Sequence, residues 1–370
     1  MTARSPLLLT PGPLTTSPKT REAMLVDWGS RDPAFIALTR GVRERIVGIA
    51  NGNGNGTHVC VPVQGSGTYG IEAALGTFVP HGARVLVLAN GAYCHRIARI
   101  LETLGRAPVL YETPEDTPPD PAEVGRRLAA DPSLGHVAIV HCETTSGIRN
   151  PLEEVAAVVA EHGRSLFVDS MSAFGALPLD LAKIRADVVV ASSNKCLEGV
   201  PGLAFAVVRR ETMEASAGNS PSIALDLHAQ WVGFEKTGEW RFTPPTHVVA
   251  ALAAAIDQFE AEGGVAARGA RYGENCRILV EGMRAMGFRT YLPDELQAPI
   301  IVTFHTPADP AFVFPRFYDL LGKRGFTIYP GKLTKIDSFR IGCIGQVMAD
   351  DMRQAVAAVG EAMAELGARA

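Results

Sequence analysis

Hydrophobic and polar positions follow a regular rhythm from about residue 59 to residue 210 of the chain. Short apolar runs such as RVLVLAN and HVAIVHCET are each followed by a stretch with apolar residues at helical spacing, such as AYCHRIARILETLG and PLEEVAAVVAEHG. Continuous apolar runs of this length predict strands buried on both faces, and the amphipathic stretches predict helices that cover those faces. The pattern therefore predicts a βαβ succession around a mostly parallel sheet.

The pattern changes near residue 240. Two long helices are predicted from THVVAALAAAIDQFEAEGG and ARYGENCRILVEGMRAMG, and the strand candidates PIIVTFH, FTIYPG and FRIGCIG follow with helices between and after them. This order is typical of an α+β unit. We predict the α/β class, with a large, mostly parallel sheet domain and a smaller C-terminal α+β domain.

Composition narrows the possible functions. The 370 residues are 47% hydrophobic, and 35 basic against 39 acidic side chains leave a net charge of -4. No basic face for nucleic acid is expected. The N-terminal apolar stretch, LLL, is too short for a signal peptide or a membrane span, so we predict a cytoplasmic protein. Six scattered cysteines lack zinc-ligand spacing, and we expect reduced thiols, Cys196 included, that pack in the core and bind no metal.

Chemically suggestive residues follow three of the predicted strands. The turn GSGT follows HVCVPVQ, Asp169 follows SLFV, and Lys195 follows ADVVVASSN. Ligands of parallel sheets bind beyond the carboxyl ends of the strands. A turn of small residues that opens a helix suits a phosphate. Pyridoxal phosphate matches all three features, since its aldehyde needs a lysine and its ring nitrogen needs an anionic partner.

Two other interpretations fit part of this pattern. GSGTYG matches the dinucleotide fingerprint G-x-G-x-x-G, but the next strand ends in Asn90 and offers no carboxylate for a ribose. A nicotinamide site would also leave Lys195 and Asp169 unexplained. Alternatively, these two residues form a structural ion pair, although buried pairs seldom add net stability.

Tyr93 and Arg340 are further candidates. Tyr93 opens a predicted helix, where it would either stack on a cofactor ring or pack in the core. In DSFRIGCIG, Phe339 and Ile341 share one face of a strand and Arg340 points to the other. Its guanidinium would either grip a carboxylate or phosphonate by paired hydrogen bonds, or lie exposed on an edge strand.

With these residues in place, the chain resembles the class V aminotransferases, a family of fold-type-I pyridoxal phosphate enzymes, along nearly its whole length. The resemblance is carried by LLLTPGPLTTS, QGSGTYGIEAALG, NGAY, HCETTSGIRNP, VDSMSAFG, SSNKCLEGVPG, SIALDLHAQW, WRFTPPTH, EGGVAAR, IYPGK and FRIGCIG. It implies an N-terminal segment at the active site (1–15), a large cofactor-binding domain (16–250) and a small C-terminal domain (251–370).

The resemblance also implies residue roles. Lys195 would bind the cofactor covalently and Asp169 would pair with its ring nitrogen, as the catalytic residues. The other residues expected to bind the cofactor are Ser66, Gly67 and Thr68 at the phosphate, Tyr93 and Thr144 at the ring, and Thr243 and Thr246 from the second subunit of a homodimer. Arg340 and the backbone at Gly12 would bind the anionic end of each substrate.

The activity implied is transfer of an amino group from 2-aminoethylphosphonate to pyruvate in a ping-pong cycle. Three alternatives remain at this point: a class V enzyme of the alanine- or serine-glyoxylate type, a pyridoxal phosphate lyase, and a dehydrogenase or non-catalytic binding protein. Cys94, Arg31 and Pro244 depart from the family pattern, and we expect any consequence to fall on substrate preference.

Overall fold

The computed structural model of the chain describes residues 6–51, 56–333 and 335–370. Residues 1–5 of the expected N-terminal segment therefore lie outside the described residues. Among the described helices, none has both the length and the apolar character that crossing a membrane requires.

Strands and helices alternate along most of the chain. The strands are β1 (Leu7–Leu8), β2 (His58–Gln64), β3 (Arg84–Ala89), β4 (Ala107–Glu112), β5 (Leu134–Val140), β6 (Cys142–Glu143), β7 (Ile148–Arg149), β8 (Ser165–Asp169), β9 (Val188–Ser192), β10 (Leu203–Arg209), β11 (Ile301–His305), β12 (Phe326–Thr327), β13 (Tyr329–Pro330) and β14 (Ser338–Gly342). The α-helices are α1 (Pro18–Glu22), α2 (Pro33–Ile49), α3 (Gly67–Phe78), α4 (Ala92–Thr103), α5 (Pro121–Ala130), α6 (Leu152–Glu161), α7 (Arg210–Ala215), α8 (Leu227–Thr237), α9 (Thr246–Glu262), α10 (Gly264–Ala285), α11 (Phe314–Lys323) and α12 (Ala349–Leu366).

A seven-stranded sheet forms the centre of the molecule, in the order β2-β10-β9-β8-β5-β3-β4. Strand β10 is antiparallel to both of its neighbours, whereas β9, β8, β5, β3 and β4 pair in parallel. The prediction of a mostly parallel sheet is confirmed. Because β5, β8 and β9 are adjacent, their carboxyl ends lie side by side at one edge of the sheet.

Both faces of this sheet are covered, which explains why its strands are apolar at nearly every position. Within β3, Leu86 and Leu88 belong to one core cluster, which includes residues of α2, α5 and α6. Val85 and Val87 belong to a second cluster, which includes residues of α3 and α4. The two clusters lie on opposite faces because successive side chains of a strand alternate in direction.

The C-terminal part of the chain forms a smaller α+β layer, as expected. Its antiparallel sheet has the order β11-β14-β13, and α10, α11 and α12 contribute to its core. Strand β14, which carries Arg340, is therefore central. Strand β1 pairs in parallel with β12, and Leu9 is buried in the same core. This pairing ties the N-terminal segment to the C-terminal layer and directs residues 10–13 toward the central sheet.

Candidate active site

A cavity of about 910 Å³ lies beyond the carboxyl ends of the central strands. Its lining contains most of the predicted site residues: Gly12, Ser66, Gly67, Thr68, Tyr93, Thr144, Asp169, Lys195 and Thr243. Arg340 lies behind Thr144, and Thr246 is the half-buried first residue of α9. The cavity thus brings together residues that are as much as 231 positions apart in the sequence, Gly12 and Thr243.

Lys195 follows β9 on a turn that points into the cavity. Its Nζ donates a 2.6 Å hydrogen bond to the carbonyl oxygen of Pro11. Burial lowers the pKa of Lys195, although the nearby Tyr93 and other acidic groups oppose that effect. No carboxylate of the described residues lies within 4.0 Å of Nζ, so a structural ion pair between Lys195 and Asp169 is not present. A lysine with a lowered pKa is a better nucleophile and base near neutral pH.

Asp169 ends β8 and is 5% exposed. Its Oδ1 accepts a 2.9 Å hydrogen bond from the backbone N–H of Met171. Burial raises the pKa of Asp169 to about 6, and the charge of Glu143 acts in the same direction. A buried carboxylate in this state gains most from a cation placed against it. A protonated ring nitrogen is such a cation.

The turn at Ser66 offers an anion site at the N-terminus of α3. Ser66 is the N-cap residue, and its side chain makes no capping hydrogen bond. Gly67 comes next, and a Cβ there would lie 2.6 Å from the sulfur of Met171, so a larger residue would displace that side chain. The hydroxyl of Thr68 accepts a 3.1 Å bond from Nη1 of Arg96. Backbone N–H groups, the hydroxyls of Ser66 and Thr68 and the guanidinium of Arg96 therefore lie together at this turn in the cavity lining.

Glu143 fixes the start of α4 and was missed by the sequence analysis. It is fully buried, and its carboxylate accepts hydrogen bonds from the backbone N–H groups of Tyr93 (3.1 Å), Cys94 (3.3 Å) and Thr145 (3.0 Å). A carboxylate at a helix N-terminus satisfies donors that have no partner inside the helix. Glu143 thus sets the direction of Tyr93. An acidic residue inside the apolar run HVAIVHCET was the available signal.

Two cations lie close to the ring of Tyr93. Nζ of Lys332 is 4.2 Å and Cζ of Arg96 is 4.8 Å from the centre of its ring. Burial opposes ionisation of Tyr93, but the charge of Lys195 and hydrogen bonds with Thr144 and Lys332 bring its pKa below the ordinary value. Tyr93 is half-buried and lines the cavity. The sequence analysis did not identify Lys332 or Arg96.

Arg340 is 3% exposed and occupies the middle of β14. Its Nη1 donates a 2.6 Å hydrogen bond to the carbonyl oxygen of Thr144, and its Nε donates a 3.0 Å bond to that of Pro330. Burial lowers its pKa, while the proximity of Tyr93 acts in the opposite direction. The alternative of an exposed arginine on an edge strand is wrong, because β14 is flanked by β11 and β13.

A buried charge cluster supports the turn that carries Lys195. Glu198, which has the unusual φ of 60°, accepts bonds from Nη2 of Arg271 (2.7 Å) and the hydroxyl of Tyr272 (2.6 Å). Arg268 donates a 2.5 Å bond to the carbonyl oxygen of Cys196 and pairs with Glu262. Arginines on α10 therefore hold the backbone immediately after Lys195.

The other residues named in the sequence analysis make packing contacts, hydrogen bonds or surface ion pairs. Burial raises the pKa of Cys196 to about 12, which fits a packed thiol. Cys94 is also fully buried, with its sulfur 3.4 Å from Glu143. Asn90 bonds to Asn150 in the interior, so the end of β3 offers no ribose carboxylate. Arg31 is exposed and lies 3.7 Å from Glu239. Pro244 is buried beside the cavity rim.

The chain is similar in sequence and in fold to known aminotransferases. The sequence profile described as "Aminotransferase class-V" matches residues 36–312. The chain is 56% identical over 363 residues to a 2-aminoethylphosphonate--pyruvate transaminase from Pseudomonas aeruginosa, covering 98% of this chain and 97% of that protein. It is 57% identical over 367 residues to a protein of the same name from Burkholderia mallei, covering 99% of each. The crystal structure of ureidoglycine-glyoxylate aminotransferase from Bacillus subtilis superposes with a TM-score of 0.90 at 21% identity, over 100% of this chain and 95% of that one.

Proposed function

The chain belongs to the class-V aminotransferase family, and from this premise we propose that it moves the amino group of 2-aminoethylphosphonate to pyruvate. The products are phosphonoacetaldehyde and L-alanine. One observation carries the proposal: a half-buried lysine and a buried carboxylate line one cavity, and a buried arginine bonds to Thr144 of its wall, in a chain that is more than half identical, end to end, to relatives named for this reaction.

Pyridoxal phosphate fits the residues present. The lining of the cavity contains the anion site at Ser66–Thr68, the carboxylate of Asp169 and the amine of Lys195. A Cβ at Gly67 would lie 2.6 Å from the sulfur of Met171, which also lines the cavity. When bound, the cofactor supplies an electron sink for the bonding electrons of the substrate carbon. The raised pKa of Asp169 supports this fit, since pairing with a ring cation would relieve the burial of its charge.

Lys195 is the proposed proton carrier. Its lowered pKa leaves a larger neutral fraction near neutral pH, and a neutral amine can accept a proton from the amino-bearing carbon of the substrate. The carbonyl oxygen of Pro11 orients Nζ. The backbone N–H of Tyr93 donates a hydrogen bond to Glu143, which holds the tyrosine in place. We propose that its ring restricts the movement of the substrate and the cofactor in the cavity. Arg340 holds the anionic end of each substrate in turn, because both substrates carry an anion opposite the reacting carbon.

A homodimer with shared sites completes the proposal. Apolar side chains are exposed around the mouth of the cavity, with Tyr69 56%, Phe242 53% and, beside the rim, Ile223 76% accessible in the single chain. Thr243 lies on the same rim, and Thr246 follows at the start of α9. Burial of this rim against a second copy would bring both threonines toward the partner's cofactor phosphate.

We also propose a cytoplasmic location, since all six cysteines are buried free thiols.

A donor and acceptor panel tests the function. The purified protein with pyridoxal phosphate is incubated with 2-aminoethylphosphonate, L-alanine or L-serine as donor and with pyruvate or glyoxylate as acceptor. We expect alanine from 2-aminoethylphosphonate and pyruvate as the fastest turnover. A preference for glyoxylate with an amino acid donor would indicate the glyoxylate-type enzyme instead. Product release from one substrate without any keto acid would indicate a lyase.

A further inference from the structure

Lys332 contacts Tyr93 of the cavity wall, and no role has been assigned to it so far. It follows β13, and its Nζ lies 4.2 Å from the centre of the Tyr93 ring. It is half-buried, and no carboxylate of the described residues lies within 4.0 Å of its Nζ. A half-buried cation without a counter-ion is partly shielded from water, and a ligand of opposite charge would stabilise it.

Lys332 lies in the loop that follows β13, and β13 pairs with the strand that carries Arg340. Tyr329 in β13 pairs with Arg340 in β14, and the carbonyl oxygen of Pro330 accepts the bond from Nε of Arg340. At Gly331 a Cβ would overlap the backbone and hydroxyl of Ser338, so the two strands are in close contact there. Lys332 is the residue after Gly331, and its Nζ approaches the ring of Tyr93, while Arg340 in β14 bonds to Thr144, which also lines the cavity.

Some of the N–H groups of the Arg340 guanidinium already donate hydrogen bonds to the protein backbone. Its Nε and one Nη1 hydrogen point to the carbonyl oxygens of Pro330 and Thr144. The remaining donors suit a planar carboxylate, which has two oxygens and one charge. A phosphonate has three oxygens in a tetrahedral arrangement and up to two charges, as a phosphate group has. One partly occupied guanidinium matches the carboxylate better than the phosphonate.

The charges at the site also indicate that the phosphonate needs a second cation besides Arg340. Glu143 is engaged by neutral N–H and O–H donors, and Asp169 is the carboxylate assigned to the cofactor ring. Arg96 bonds to Thr68 at the expected phosphate turn. Arg241, another cation of the lining, is exposed and bonds to the carbonyl oxygen of Ile223. Arg340, bonded to Thr144, and Lys332, over Tyr93, are the cations next to the cavity wall that we assign to the substrate.

We propose that Lys332 is a specificity-determining residue that binds the phosphonate dianion of the amino donor together with Arg340, whereas the carboxylates of pyruvate and L-alanine are held by Arg340 alone. This inference rests on the proposed function and adds the means by which one pocket accepts two different anions. The competing explanation is that Lys332 only supports the ring of Tyr93 by a cation–π contact. That role would affect both half-reactions equally.

The test compares the two half-reactions in the holoenzyme. Lys332→Met removes the charge and keeps the length, Lys332→Arg keeps the charge, and Lys335→Met removes a charge from an exposed position on the same loop as a control. Single-turnover spectra against increasing 2-aminoethylphosphonate or L-alanine give the dissociation constant and the rate separately. We expect Lys332→Met to weaken 2-aminoethylphosphonate binding by about 10- to 100-fold and to change L-alanine binding by less than about threefold. Lys332→Arg should recover most of the loss, and Lys335→Met should resemble the wild type.

A second measurement does not depend on turnover. Calorimetry of the holoenzyme, in which the cofactor occupies the anion site at Ser66–Thr68, compares ethylphosphonate, its singly charged monomethyl ester and propionate, none of which has an amino group to react. The wild type should bind ethylphosphonate at least about 10-fold more tightly than the other two, and Lys332→Met should lose that preference. Equal loss for both half-reactions, or wild-type affinities that do not distinguish the dianion, would overturn the inference. The proposed function itself fails only if the wild type does not turn over 2-aminoethylphosphonate with pyruvate, which is a separate result.

Discussion

Nζ of Lys195 and the carbonyl oxygen of Pro11 are 2.6 Å apart, so the N-terminal segment directly orients the side chain proposed to carry the chemistry. The next residue, Gly12, has a φ of 112° and packs against the lysine. This contact joins two parts of the chain that are 184 residues apart. It also makes Gly12 a sensitive position.

Gly12→Ala should misplace Lys195. A Cβ at residue 12 would lie 2.7 Å from Cδ of the lysine and 3.0 Å from the carbonyl oxygen of Asn194, and the backbone conformation disfavours alanine. We expect the variant to lose about 1–3 kcal/mol of stability and to bind pyridoxal phosphate covalently more slowly than the wild type. Urea denaturation and the rate at which the visible cofactor band appears measure the two effects.

Gly41→Ala is the matched control for that substitution. Gly41 lies inside helix α2 and has no atom within 4 Å of the position of a new Cβ. Alanine should therefore leave cofactor binding unchanged and not destabilise the helix. If Gly12→Ala behaves like this control, the close packing of Gly12 on Lys195 is not important in solution.

Asp169→Asn should stabilise the cofactor-free protein at neutral pH. The pKa of Asp169 is raised from 3.8 to about 6 in the folded state, mainly by burial, so the folded protein binds more protons than the unfolded chain between these values. Stability from this group therefore falls as the pH rises from about 4 to about 6 and stays low above that. The difference corresponds to about 3 kcal/mol. Asparagine carries no charge and avoids this loss.

Denaturation of the cofactor-free proteins across this pH range checks the sign. We expect Asp169→Asn to exceed the wild type above about pH 6 and the advantage to shrink toward pH 4. With cofactor and substrate, the same variant should lose most of its activity, because its side chain cannot balance a ring cation. A variant that is less stable than the wild type at neutral pH, and more so at low pH, would contradict the assigned environment.

Glu198→Gln should destabilise the protein strongly. The substitution removes a buried negative charge and leaves Arg268, which is 1% exposed, and Arg271 with less compensation. Breaking a buried pair from one side costs about 3–5 kcal/mol. Glu274→Gln, in a surface pair with Arg277, should cause no measurable loss in the same urea titration. Similar results for the two variants would show that the cluster behind Lys195 does not support its turn.

Arg340→Met should impair both half-reactions, in contrast to Lys332→Met. Loss of a buried guanidinium removes the bonds to Thr144 and Pro330 as well as the proposed anion contact. We expect kcat/KM to fall by about 30-fold to several thousand-fold with 2-aminoethylphosphonate and also with L-alanine, corresponding to 2–5 kcal/mol. Arg340→Lys should recover only part of the loss, because an ammonium cannot reproduce the paired geometry. A loss confined to one substrate would contradict a shared arginine.

The apolar pattern was sufficient to predict the strand ends and therefore much of the cavity. Asp169 and Lys195 each follow a run that is buried on both faces, and adjacent parallel strands bring such residues together. The order of the strands could not be predicted in this way. Nothing in the local pattern of LAFAVVR distinguishes the antiparallel β10 from its parallel neighbours, because both environments bury both faces.

The residues that the sequence analysis missed depend on contacts between distant elements. Glu143 acts on α4, which begins 51 residues earlier at Ala92, and Glu198 acts through arginines on α10. Lys332 contacts Tyr93 from the loop after β13, the strand that pairs with β14. The spacing of residues in the sequence does not predict these contacts, because each depends on how two distant elements pack. Buried acidic residues in apolar surroundings were the one available signal.

The covalent attachment of the cofactor to Lys195 is the claim on which the proposed chemistry depends. Borohydride reduction of the purified holoenzyme, followed by peptide mass spectrometry, locates the attached residue. We predict the label on Lys195, its loss when 2-aminoethylphosphonate is added before reduction, and its return when pyruvate follows. A label on another lysine, or a label on Lys195 that 2-aminoethylphosphonate does not remove, would contradict the account.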